Sequence, residues 1–230
     1  MWTRAELKEK AKASFKANYW LCVAVSLILS FCVGGSGGAA GRSASNNTSD
    51  AQNLVESMEP QQLLAIVGIV IGVVAVVLCV GLVISIFVTN PLSVGCYRFF
   101  VINRNEKARF GEVGAGFKYN YMNNVKIMFL KQLFISLWSL LFVIPGIIKS
   151  YEYMMVPYLI AENPELSSKE AFAISKQMMT GEKWNAFVLD LSFIGWYLLT
   201  GLTLGILGVF YTMPYIYSTK AELYYALKEK

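Results

Sequence analysis

The stretch from Ile127 to Trp184, IMFLKQLFISLWSLLFVIPGIIKSYEYMMVPYLIAENPELSSKEAFAISKQMMTGEKW, decides how this chain is threaded. It climbs through an apolar run, breaks at Pro145-Gly146, climbs again into Met154, Val156 and Leu159, then switches to amphipathic spacing. A membrane hairpin followed by a surface helix has that pattern. Between Ile127 and Ala161 lie 35 residues, too many for one ordinary crossing of about 20 and barely enough for two. Proline removes a helical hydrogen bond and glycine accepts the turn, so two short, tilted helices are expected there. Asn163-Pro164 stops the hairpin, and Ser167 with Glu170 has capping-box spacing, with Leu166 placed for a staple. Ala171, Phe172, Ile174, Ser175, Met178 and Met179 share one arc of the next helix, opposite Lys169, Glu170, Lys176 and Gln177, and Gly181 suits its stop.

The rest of the chain has the same character. Of 230 residues 56% are apolar and 15% charged, too greasy for a water-soluble domain. The net charge of +5 is spread between apolar runs, which reads as positive-inside topology and excludes a nucleic-acid face. Cys22, Cys32, Cys79 and Cys96 have no paired spacing and there is no histidine, so neither a disulfide framework nor a metal site is expected.

Residues 3 to 17 start with Thr3 and Glu6 in capping-box spacing and set Leu7, Ala11, Ser14 and Phe15 against four lysines, an amphipathic helix for an anionic leaflet. An apolar segment from Tyr19 to Val33 follows. A cleavable signal peptide shares the basic start, the apolar core and small residues near Ala39 and Ala40, but this basic region is long and helical. Residues 34 to 60 form a Gly/Ser/Asn-rich extracytoplasmic loop, whose Asn46-Asn47-Thr48-Ser49 sequons read most simply as polar loop. From Pro60 to Tyr97 no residue is charged, and Gly68 with Gly72 makes a GxxxG face suited to close packing or self-association. Phe110, Val113, Phe117 and Tyr121 then recur at helical spacing among basic residues, a second interfacial helix. Trp184 to Thr219 repeats the hairpin arithmetic, with a single charge, Asp190, and glycines 201, 205 and 208 in the middle.

Phe210-Tyr211-Thr212-Met213-Pro214 echoes Phe87-Val88-Thr89-Asn90-Pro91, and Pro157 stands at the equivalent place in the central hairpin. The expected fold is therefore all-α, one integral membrane domain over residues 1–230. It is a bundle of six transmembrane helices in three hairpins, each introduced by an interfacial helix. In that arrangement eighteen of the 20 basic residues fall on one side, with only Arg42 and Lys149 opposite. Both termini are thus expected in the cytoplasm.

The segments LWSLLFVIPGIIKSYEYMMVPYLIAENPELSSKEAFAISKQMMTGEKWNAFVLDLSFIGWYLL and MPYIYSTKAELYY resemble an uncharacterised bacterial integral-membrane family, the domain of unknown function nine-seven-five. They are more distantly similar to the membrane domain found ahead of glycerophosphodiester phosphodiesterases. The resemblance covers nearly everything except the 34–60 loop. It implies a six-helix protein of the bacterial cytoplasmic membrane and carries over no catalytic residues.

Intramembrane ionisable residues are where function is sought first. Lys131 lies near the inner interface and is expected to snorkel. Lys149 and Glu152, three apart on a helix, form a salt bridge at the outer end of the central hairpin or a polar lining for a solute or headgroup. Asp190, two turns into its segment and without a local partner, reads as a neutralised or hydrogen-bonded bundle residue, with a proton-coupled site as the alternative. No nucleophile elbow, phosphate loop, HExxH or carboxylate pair is present, so no catalytic residue, no cofactor and no metal are expected. The expected role is a non-catalytic membrane component binding lipid or a protein partner, an accessory of envelope or export machinery. The rival is a small transporter or efflux protein using Lys149, Glu152 and Asp190.

Overall fold

A computed structural model describes residues 2–34 and 60–230, all of whose regular structure is helical. The 34–60 loop, with Arg42, the sequons and the Ala39-Ala40 site, lies outside the described residues apart from its two ends. Helix α1 (Arg4–Ala17) is capped by the Thr3 side chain, which accepts from the Glu6 backbone N–H. It meets α2 (Tyr19–Gly34) at a bend of 107°. α3 (Pro60–Ile84) is 25 residues long, about 37 Å at 1.5 Å per residue. It continues through one π-helical turn (Ser85–Thr89) into α4 (Asn90–Ile102). Then come α5 (Tyr121–Leu141), α6 (Val143–Glu152), α7 (Val156–Glu162), α8 (Ser168–Met179), α9 (Lys183–Leu191) and α10 (Ile194–Leu202). A second π-helical turn (Gly208–Thr212) leads into α11 (Met213–Lys228).

Three segments are long and apolar enough to cross a membrane, 64–102, 121–141 and 183–202, or four with the bent α1–α2 pair taken as one. Six full-length crossings are not among them. The limb returning after α5 is divided into α6, with 10 residues, and α7, with 7.

The two ends of the molecule differ. At one end α1, α4, α7, α8 and α11 pack around Phe15, Phe99, Met155, Tyr158, Met179 and Tyr224, all buried. Basic residues are tied into this end. Arg98 pairs with Glu112 at 2.9 Å and donates to the Ala161 carbonyl at 2.8 Å, and Arg104 pairs with Glu222 at 2.9 Å. The other end consists of apolar projections. Leu140 is 85% exposed and Leu204 93%, and among the described residues nothing comes within 4 Å of where a Cβ would stand on Gly68, Gly72 or Gly81 of α3. Water would penalise so much contiguous apolar surface; hydrocarbon would not.

Local chemistry explains the bends. The central turn falls at Phe142, whose backbone is extended, and not at Pro145-Gly146. Pro145 instead sits in the first turn of α6, where a missing N–H costs nothing. Gly146 is needed for contact: a Cβ there would lie 2.7 Å from the Ser139 Cα. The last turn is built on Leu204 and Gly205, both at positive φ. The expected interfacial helix near residue 115 is broken into a 3-10 turn (Phe110–Gly114) and a single α turn (Ala115–Lys118), ended by Asn120 at positive φ.

The proline echo has a structural counterpart. A proline inside a helix orphans the carbonyl four residues earlier. Pro91 and Pro214 each follow a π-helical turn, and the carbonyls concerned belong to Phe87 and Phe210. The Tyr121 hydroxyl donates to Phe87 O at 2.7 Å, and the Tyr19 hydroxyl to Phe210 O at 3.1 Å. Tyr121 begins α5 and Tyr19 begins α2, so each orphan is met by the first residue of another apolar helix. At Pro157 the corresponding Tyr153 carbonyl accepts instead from the Val156 N–H, at 3.3 Å.

Candidate functional site

Glu152 ends α6 with its side chain almost wholly buried. Lys149, one turn earlier, reaches its Oε1 at 2.8 Å, as the spacing of three predicts. Lys183, at the start of α9, reaches its Oε2 at 2.7 Å. The Ser175 hydroxyl of α8 donates to the Glu152 backbone carbonyl at 2.8 Å. One carboxylate thus ties together α6, α8 and α9. The Lys149 ammonium also lies over the rings of Trp138 and Tyr153, at 5.6 and 5.5 Å.

This changes the sequence reading of Lys149. The six-span arrangement puts Lys149 on the outer side and Lys183 on the inner side, yet both grip the same carboxylate. A residue at the outer tip of the central turn would stand near Phe142; Lys149 stands two helical turns along the returning limb.

Asp190, near the end of α9, is not without partners. The Tyr151 hydroxyl donates to its Oδ2 at 3.1 Å, and Lys220 of α11 approaches its Oδ1 at 3.3 Å. Tyr151 adjoins Glu152, so the three residues singled out from sequence are brought into one neighbourhood across α6, α9 and α11. The partners that sequence reasoning missed are Lys183, Lys220 and Tyr151. The first two lie far along the chain, and no periodicity links residues 31 or 30 positions apart. Tyr151, next to Glu152 in the chain, carries no spacing signal that would point it at Asp190.

Chemically, the cluster is self-satisfying. Both oxygens of Glu152 and both of Asp190 already hold a donor or a cation. Such a carboxylate is a poor general base, because its lone pairs are occupied, and a good clamp, because its desolvation is compensated. Among the described residues no group of three His, Cys, Asp or Glu side chains is arranged to hold a metal ion.

A family model described as a protein of unknown function (DUF975) matches residues 66–230. The chain belongs to this family. No curated protein and no solved structure matches it. In this DUF975 protein the matched region contains Lys149, Glu152, Asp190 and all their partners, both π-helical turns and the α4, α7, α8 and α11 parts of the packed end, while α1 and α2 precede it. The clamp therefore belongs to the part of the chain that the family describes.

Proposed function

We propose that this protein is a multi-pass component of the bacterial cytoplasmic membrane. It is arranged as three helical hairpins with both termini in the cytoplasm, and it works by holding lipid or a second membrane protein and not by catalysis. The observation that carries this reading is the polarity of the molecule itself. One end is packed, basic and amphipathic, with α1 and α8 presenting charged faces; the other exposes almost nothing but Val, Leu, Ile and Phe. A basic end at the cytoplasmic leaflet and an apolar end in hydrocarbon satisfy both halves at once. The self-satisfied charges at Glu152 and Asp190 favour a scaffold over a reaction centre.

Substituted-cysteine labelling in intact cells tests the topology. A cysteine at Lys176 should react with a membrane-impermeant maleimide only after the cells are opened. Labelling from outside would overturn the arrangement. Extraction in mild detergent tests the role: lipid or a protein should leave the membrane with the chain in a fixed ratio, and a chain that always emerges alone and bare would count against it.

A further inference from the structure

A cavity of about 380 Å³ lies between the end of α2, the first π-helical turn, α4 and α5, at the small end of the range that ligand sites occupy. Its wall includes Lys131, Gln132 and Ser136 from α5 and Asn90, Ser93 and Tyr97 from α4. Apolar rim residues Val33, Phe129 and Leu133 are exposed, so the mouth opens on the surface that hydrocarbon covers. Depth follows from two separate helices. Lys131 stands about 15 Å along α5 from Tyr121, and Cys32 about 20 Å along α2 from Tyr19. On the membrane reading, with Tyr121 and Tyr19 at the interface, both lengths put the cavity inside the bilayer.

Lys149, Lys183 and Lys220 each meet a carboxylate. Lys131 meets none: among the described residues its ammonium makes no ion pair and no hydrogen bond, although three N–H donors must be satisfied. The side chains of Gln132, Ser136, Asn90 and Tyr97 are likewise without a hydrogen-bond partner among the described residues, which leaves further donors at the same cavity. Ser93 donates to the Asn90 carbonyl at 2.7 Å and so offers only acceptor capacity. A cation surrounded by unused donors is a site for an anion with several oxygens. The wall also includes Ser85 and Thr89 of a π-helical turn, a distortion that recurs at functional sites.

We infer that this cavity holds the phosphate group of an anionic membrane lipid, with Lys131 as its counter-charge and the acyl chains leaving through the apolar rim. The inference rests on the membrane reading given above and names the ligand that reading leaves open. Phosphate could also come from solution, but a mouth lined by exposed Val, Phe and Leu admits a lipid more readily than a hydrated ion.

The test uses the full chain, purified in a mild detergent and placed in nanodiscs of phosphatidylcholine with phosphatidate added, bound lipid being counted by native mass spectrometry. A parallel arm offers inorganic phosphate to the detergent-solubilised protein. The native protein should retain phosphatidate selectively, and Lys131→Gln should weaken that retention roughly tenfold or more, the scale of a lost hydrogen bond to a charged group. Lys131→Arg should keep most of it. Ser136→Leu, which fills the cavity and leaves the lysine in place, should also lose it, and decides the matter if Lys131→Gln does not fold. Retention unchanged in both Lys131→Gln and Ser136→Leu would overturn the site while leaving lipid engagement standing. Inorganic phosphate binding as tightly as phosphatidate would overturn the lipid assignment. The wider membrane reading fails separately, through outside labelling at position 176.

Discussion

Lys149 and Lys131 stand on consecutive helices either side of one turn, both in apolar surroundings, and their fates are opposite. Lys149 is locked onto Glu152 and over two aromatic rings, beside a second lysine on the same carboxylate. Lys131 faces a cavity lined by no carboxylate among the described residues. Burying a charge is tolerable once it is paired, so Lys149 is explained by the fold alone. Lys131 is not, and an unexplained charge at membrane depth points outward to a ligand. In the sequence Lys149 has a carboxylate three residues on and Lys131 has none nearby; the assembled neighbours separate a clamp from a site.

The contrast breaks most visibly at the clamp. Glu152→Gln leaves two ammonium groups sharing one neutral amide and should cost about 3 kcal/mol, the scale of removing one partner from a buried pair. Thermal unfolding in detergent would show this as a clear fall in Tm, and an unchanged Tm would mean that the clamp contributes nothing. Tyr121→Phe and Tyr19→Phe each return a proline-orphaned carbonyl to an apolar setting and should cost about 1–2 kcal/mol. Tyr119→Phe, whose hydroxyl makes no such bond among the described residues, is the control. Lys131→Met sharpens the comparison from the other side. With no partner to lose among the described residues, stability in lipid-free detergent should hold or rise by up to about 1 kcal/mol; a loss as large as that of Glu152→Gln would reveal a partner within the chain.

The smallest effect is expected at the start of α8. There Ser167 accepts from the Glu170 N–H, and the Glu170 carboxylate accepts from the Ser167 N–H at 3.0 Å. The Ser167 hydrogen bonds hold the Glu170 carboxyl below its usual range. A carboxyl lowered on folding contributes its full stabilisation above its unfolded pKa and loses it as the pH falls through the folded one. Amide protection in the first turn of α8, taken against the intrinsic exchange rate at each pH, should therefore fall in mild acid, and Ser167→Ala should abolish that fall. An identical pH response in the variant would remove the capping box from the account.

What was legible in the sequence was what depends on near neighbours. The Ser167–Glu170 box and the positive φ at Gly181 are set within a few residues, and both are where the spacing places them. The Lys149–Glu152 pair was legible for the same reason. Pro145 misled because proline is tolerated in a first helical turn, so the chain could bend three residues earlier, at Phe142. The segment near Gly116 was read as one helix from its apolar spacing. Gly116 instead lies hard against the Pro91 carbonyl, a contact between segments that breaks the local pattern. Lys183 and Lys220 were out of reach because ion pairs across helices leave no period behind. The cavity at Lys131 was hidden because an absent partner is a property of the assembled fold.

The bond from Tyr19 to the Phe210 carbonyl joins the second helix of the chain to the segment just ahead of its last. A ribosome makes the donor long before the acceptor. During insertion the tyrosine must wait with its hydroxyl unclaimed until the proline-bearing stretch at Phe210 arrives, so this seam cannot seal before that stretch is made. Truncation anywhere before Phe210 would leave that seam open.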